Sequence, residues 1–157
     1  MSATPAPLLV RVEPLLRNRP IPWDDVLARI VEHFGCVVGT VHLLDAGDGK
    51  LHLEAHRGLP PPVLDKVRVI PIGKGMAGIA AERRQPVQVC NLQTDSSGVA
   101  RPNAKLTQME GSLASPMLDG DQLRGVLGIA KPTAYDFTPD ETELLLAVGG
   151  AIARVLR

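Results

Sequence analysis

"IPIGKGMAGIAAERRQPVQVCNLQTD", residues 70–95, carries Gly73, Gly75 and Gly78 in the spacing G-x-G-x-x-G, with Asp95 downstream. That spacing cradles a dinucleotide only when a buried parallel strand precedes the glycines and a crossover helix follows them, its N-terminus facing the pyrophosphate. The context here fails both requirements. A strand buried on both faces reads as a continuous apolar run, whereas "VRVIPI" holds Arg68 in its middle and Pro71 just before the glycines. Only a short stretch separates Gly75 from Arg84, too little for a crossover helix. No Lys-Ser/Thr pair follows the glycines at P-loop spacing either. The stretch therefore reads as a turn into a short helix, ended by Pro86, and then a short strand, "PVQVC".

The elements around it agree with an antiparallel sheet. "PWDDVLARIVEHFG" opens on Pro22, with Asp24 and Asp25 at its positive end, and repeats apolar residues at helical spacing until Gly35. "CVVGTVHLLDAGDGKLHLEAHRG" reads as a hairpin through a Gly/Asp turn, and "GSLASPML" with "QLRGVLGIAKP" as a second. Residues 91–110 form a long polar loop, interrupted by Gly98 and Pro102, of the kind that in a compact domain carries function or moves. The closing helix starts at Thr138 with Pro139 next and Glu141 at the third position, a capping box. Gly149 and Gly150 inside it call for a close neighbour.

Composition sets the outer bounds. The 157 residues suffice for one domain with its own core; 17 basic and 17 acidic residues cancel, so no field or basic run favours nucleic acid or an anionic membrane. Two cysteines, Cys36 and Cys90, have no C-x-x-C spacing, and no apolar stretch approaches the roughly 18 residues of a spanning helix. These features point to a cytoplasmic protein with no nucleic-acid or membrane partner. Residues 1–20, rich in proline and lacking a basic start, read as a partly ordered leader, and 21–157 as the domain.

Three histidines in the first hairpin raise a metal site. His52 and His56 share a strand face but stand roughly 13 Å apart at strand rise, too far for one ion. If Asp45 faces Lys50 across the turn, His42 lies opposite Leu53 and on the other face from His52, so the three read as surface or half-buried side chains without a metal. "AGDG" lacks the alternating acids of a calcium loop and reads as a turn.

The order of these elements, with "VIPIGKGMAGIAAERRQPVQVCNLQTD" and "ASPMLDGDQLRGVLGIAKPTAYDFTPDETELLLAVGGAIA", resembles the GAF domain family over roughly residues 22–156. The resemblance implies an α+β fold: a central antiparallel sheet of five or six strands, the N- and C-terminal helices on one face, and a small-molecule pocket under loops and short helices on the other. It implies a sensory or regulatory domain rather than an enzyme, working as a homodimer or through a separate signalling partner. Departures narrow the ligand. The pentad associated with cyclic nucleotides appears as Ala130-Lys131, Phe137 and Glu141-Thr142, keeping only the Lys and Phe. The paired cysteines of free methionine sulfoxide reductases are absent: Ala77 stands at the glycine-loop position, and 91–110 holds none. The Asp-x-x-x-Asp turn begins with Asn91.

Three functions follow, in order of preference: a ligand-binding sensor of unidentified ligand and cofactor, a thiol-dependent redox enzyme related to those reductases and using Cys90, and a dimerisation scaffold. Ligand contacts are expected where the glycine loop, the long loop and the facing strand meet. Met76, Ala77 and Met117 are the apolar candidates, and Asp95, Arg101, Asn103, Lys105 and Glu110 the polar ones. The dimer is expected through Trp23, Leu27, Ile30, Leu145, Val148 and Ile152.

Overall fold

Alternation along the two hairpins builds the centre of the molecule. In a computed structural model that describes residues 7–97, 99–100, 105 and 107–156, β1 (Val38–Leu44) and β2 (Leu51–Arg57) form the first hairpin, and β5 (Gly111–Asp119) and β6 (Gln122–Lys131) the second. The short strands β3 (Val69–Ile70) and β4 (Val87–Val89) pair at the two edges. The order is β3-β2-β1-β6-β5-β4, with every pairing antiparallel. Asp45 N–H donates to the Lys50 carbonyl and His42 pairs with Leu53, the register the turn predicts.

One face of the sheet is covered by helices. Trp23–Phe34 forms a helix that buries Val26, Leu27, Ile30, Val31 and Phe34, the stripe its spacing predicts. The closing helix, Pro139–Val155, starts at the capping box: the Thr138 hydroxyl accepts from Glu141 N–H, and the Glu141 carboxylate accepts from Thr138 N–H and the Tyr135 hydroxyl. A further helix, absent from the sequence reading, forms within the stretch read as a leader. Leu8–Leu16 buries Leu8, Val12 and Leu16 against both other helices, in one core. In chain order these helices are α1 (Leu8–Leu16), α2 (Trp23–Phe34) and, last, α5 (Pro139–Val155).

Helix α1 changes the reading of the outer helix surface. Leu27, Ile30, Leu145, Val148 and Ile152 are fully buried within the chain, and Trp23 packs partly against the same core, so the apolar surface assigned above to a second copy is already covered. Burial of each such side chain contributes about 1.5–3 kcal/mol. Gly149 serves β5 rather than another molecule: a Cβ there would stand 3.0 Å from the Pro116 carbonyl oxygen and 3.3 Å from Met117.

The other face carries two short helices, α3 (Pro61–Leu64) and α4 (Gly75–Arg83), with a 3₁₀ turn over Asp65–Val67 after α3. The glycines of the opening stretch shape the entry to α4. Gly73 and Gly75 take the left-handed backbone at φ 90° and 67°, and Gly73 N–H donates to the Gly78 carbonyl. The preceding strand, β3, has two residues and pairs antiparallel with β2, so the motif lies outside any parallel β-α-β unit.

Candidate functional site

Between the sheet and this lid lies a cavity of about 160 Å3. Its floor is made by Val38, Thr40 and His42 of β1, Ser112 and Ala114 of β5, and Gly128 and Ala130 of β6. The lid is Leu59, Val63, Lys66, Val67 and Ile70, and one wall is the start of α4, from Lys74 to Ala77. Leu92, Ala100 and Thr107 line the side facing the long loop. Most of the lining is apolar, as expected of a site that takes up a small organic molecule.

His42 is the one ionisable side chain among these floor residues. It is 3 % exposed, contrary to the half-buried placement expected from its hairpin position, because the 59–67 lid covers it. Its Nε2 lies 2.8 Å from the Val67 carbonyl oxygen, which ties the lid to the floor. A carbonyl only accepts, so Nε2 carries the proton. Burial pushes the His42 pKa down, against the upward pull of the Val67 hydrogen bond, with nearby His52 adding to the depression, so the ring is neutral. Nδ1 is then a bare acceptor, buried and without a partner among the described residues.

The start of α4 is the opposite pole. Its N-cap, Lys74, makes no side-chain capping bond, and its first turn holds no acidic residue. The first intrahelical bond runs from Gly78 N–H to the Lys74 carbonyl, so the N–H groups of Gly75, Met76 and Ala77 are the unpaired donors of a helix start. No Asp or Glu occurs among the described lining residues, whereas Lys66 and Lys74 both do.

Of the residues named from sequence, Met76 and Ala77 line the cavity. Met117 does not: it points to the helix face, fully buried beneath α5, because β5 sends odd-numbered residues that way. Asp95 accepts from the Ser97 hydroxyl, Lys105 gives its carbonyl to Gln93, and Glu110 bonds by its backbone to Leu92 and Lys131; none of the three lines the cavity. Arg101 and Asn103 lie outside the described residues. The sequence reading missed His42, Lys66, Val67 and Lys74. The hairpin register held a signal for His42, since it already separated that residue from the His52 face.

Neither thiol is at the cavity. Cys36 is buried in the helix-side core, where burial pushes its pKa up to about 11, opposed by Lys131 and reinforced by Glu141. Cys90 is exposed; desolvation, then the hydrogen bond its thiol donates to the Asp136 carboxylate, holds its pKa above the usual thiol value. At the first hairpin turn Asp45, Asp48 and His52 bring ligand atoms within 4.8 Å of one another, but all are at least partly exposed, and Asp45 and Asp48 are engaged by the turn's own N–H groups. No helix among the described residues is long and apolar enough to cross a membrane.

A family profile described as the GAF domain matches residues 24–157. The chain belongs to the GAF domain family. No curated protein sequence matches it significantly. Among solved structures, the GAF domain of a phosphoenolpyruvate-protein phosphotransferase from Coxiella burnetii superimposes with a TM-score of 0.80 at 20% identity, covering 95% of this chain and 90% of that one. Free methionine-R-sulfoxide reductase from Neisseria meningitidis, in complex with its substrate, gives 0.77 at 17% identity over 99% and 92%. A far-red-absorbing dark state with bound biliverdin IXa gives 0.67 at 14% identity over 95% and 97%. At these identities the likeness is one of GAF fold, and proteins of that fold differ in what they hold.

Proposed function

We propose that this GAF domain is a cytoplasmic sensory or regulatory module that binds a small, largely apolar molecule in the cavity between sheet and lid and acts through a separate partner or a second copy. The observation that carries the reading is the cavity itself, apolar on most sides, with the His42 ring among its floor residues. At about 160 Å3 the cavity matches an engineered cavity of about 150 Å3 that takes up benzene, and falls below the roughly 300–1,000 Å3 of sites for drug-sized ligands. A ligand of tetrapyrrole size exceeds this volume. Thiol chemistry on a bound molecule would have neither cysteine at the cavity, which favours a non-enzymatic role.

Native mass spectrometry of freshly purified protein tests this reading. A retained small molecule, or one from a metabolite set that raises the melting temperature, supports it. A cavity found empty, with no molecule of the set stabilising the fold, removes it. The same spectrum reports oligomeric state, and a second copy would have to meet surface other than the α2 and α5 residues buried within the chain.

A further inference from the structure

Of the polar side chains on the cavity floor, His42 and Ser112 are already committed. His42 Nε2–H donates to the Val67 carbonyl at 2.8 Å and its Nδ1 is sealed from solvent, while the Ser112 hydroxyl donates to the Ile129 carbonyl at 3.5 Å. We propose that the remaining one, Thr40, determines specificity: the cavity takes an uncharged molecule of about one ring that carries a hydroxyl or carbonyl oxygen, and this oxygen bonds the Thr40 hydroxyl. This deepens the sensor reading and rests on it.

The sheet fixes where the Thr40 oxygen lies. Thr40 pairs with Gly128 across β1 and β6, and Gly128 with Ala114 across β6 and β5, so one hydroxyl and two small residues form a row along the floor. Leu127 and Ile129 face the helix-side core, so a Cβ built on Gly128 would stand on the cavity side, 2.6 Å from Thr40 Oγ1. The hydroxyl therefore leans over the space that Gly128 leaves empty. It makes no hydrogen bond among the described residues and, unlike His42 Nδ1, is not a sealed atom. Strand β1 has a neighbour on each side, so the surface that half-buried Thr40 keeps lies on the cavity side.

The chemistry of the occupant follows from that atom and its surroundings. A threonine hydroxyl both donates and accepts, so it pairs with a hydroxyl or a carbonyl alike. Valine would fill the same strand position with the same shape, and the oxygen adds only hydrogen bonding. A cation would meet no Asp or Glu among the described lining residues, and an anion only the exposed Lys66 and Lys74. Either ion would lose hydration at the floor without a buried counter-charge. The volume of about 160 Å3 admits a ring of benzene size.

Phenol and toluene differ as threonine and valine do, hydroxyl against methyl, and cyclohexanone with methylenecyclohexane isolates a carbonyl in the same way. Calorimetric titration of the full chain gives the affinity ratio within each pair. At least one ratio is expected to fall about tenfold in Thr40→Val, the factor one hydrogen bond supplies. Thr40→Ser, which keeps the hydroxyl, should retain most of it. Ala114→Val, which adds bulk to the same row, should weaken every probe and so locate them in this cavity. Benzoate, the charged control, should bind more weakly than phenol. In the wild-type protein, nuclear Overhauser contacts are expected between the Thr40 methyl and the bound polar probe. Thermal melts confirm that each variant is folded.

The proposal is overturned if both ratios are unchanged in Thr40→Val, if Thr40→Ser loses them as fully as Thr40→Val, or if the Thr40 methyl contacts are absent. It also falls if Ala114→Val leaves binding intact, if benzoate binds as tightly as phenol, or if no probe binds up to its solubility. Unchanged ratios, with binding that Ala114→Val still weakens, leave the cavity and the sensor reading standing. Failure of every probe together with an empty mass spectrum removes both.

Discussion

Gly78→Ala separates a phosphate-cradling glycine from one required by packing. A Cβ built at Gly78 would stand 2.4 Å from the Pro71 carbonyl oxygen and 3.1 Å from Gly73 N, both backbone atoms, and the first is inside the 3.0 Å limit that real contacts keep. The Pro71 carbonyl also accepts from Lys74 N–H at 3.2 Å, so moving it aside weakens the bond that sets the last residue before α4. Overpacking of this kind costs about 1–3 kcal/mol and the weakened bond about 1 kcal/mol, whereas alanine regains up to about 1 kcal/mol of helix propensity over glycine. The net expectation is a loss of about 1–3 kcal/mol, a fall of roughly 2–12 °C in melting temperature for a domain of this size. Gly49→Ala is the control. Gly49, unlike Gly78, has a positive φ, 70°, and nothing lies within 4 Å, so only the left-handed backbone penalty of about 1–2 kcal/mol applies. Circular dichroism melts, checked by urea titration, measure both. A Gly78→Ala protein that melts at or above the wild type would refute the reasoning, since helix propensity would then outweigh a contact that does not exist in solution.

His42 should make the fold pH-sensitive just below neutrality. Its native pKa lies below 6.5, so the unfolded chain binds the extra proton first; stability is expected to fall as pH drops below about 6.5, by at most about 1.4 kcal/mol per unit, until the native ring also protonates. Urea unfolding at steps between pH 7 and 5 should show this slope in the wild type and lose it in His42→Phe. Cys90 should be the one thiol that reacts in the native protein, slowly at neutral pH, with Cys36 becoming reactive only in denaturant; rapid native titration of both would contradict the buried position of Cys36. Leu16→Ala should cost about 2–5 kcal/mol, as for any fully enclosed core leucine, and an effect under 0.5 kcal/mol would mean that α1 does not dock.

How much of this was legible in the sequence differs from element to element for physical reasons. The two hairpins, α2, α4 and α5 carried strong local signals: a Gly/Asp turn, a 3.6-residue stripe, a proline stop and a capping box, each confirmed where expected. Helix α1 was obscured by Pro5, Pro7 and Pro14, which argue locally for a broken chain, although Leu8, Val12 and Leu16 recur every four residues; docking on α2 and α5 overrides the propensity. The lid was obscured by "LPPPVLDKV", whose three prolines hide a one-turn helix and its 3₁₀ extension. Met117 was misplaced because both parities of "GSLASPML" are apolar, so alternation could not tell which residue faces the ligand. His42 was read as a surface or half-buried side chain because its full burial under the lid depends on a non-local segment.

The same alternation, once its phase is known, explains why a cavity exists there at all. Along β1, β5 and β6 the odd-numbered residues, Val41, Leu113, Met117, Leu127 and Ile129, join the helix-side core. The even-numbered ones, Thr40, His42, Ser112, Ala114, Gly128 and Ala130, line the cavity. Large residues fill one side of the sheet to the close packing that interiors require, and residues of at most medium size leave the other side short of atoms. The lid cannot collapse into that shortfall, since Val67 is held off by the His42 ring and the α4 entry by the Gly78 contact with Pro71. An unfilled space lined by small side chains forfeits dispersion contacts and costs stability. A single large residue at Ala114 or Ala130 would recover those contacts, and the sequence does not use one. The strands thus keep the volume open by holding residues of at most medium size on that side, and the His42 ring props the lid above it through Val67.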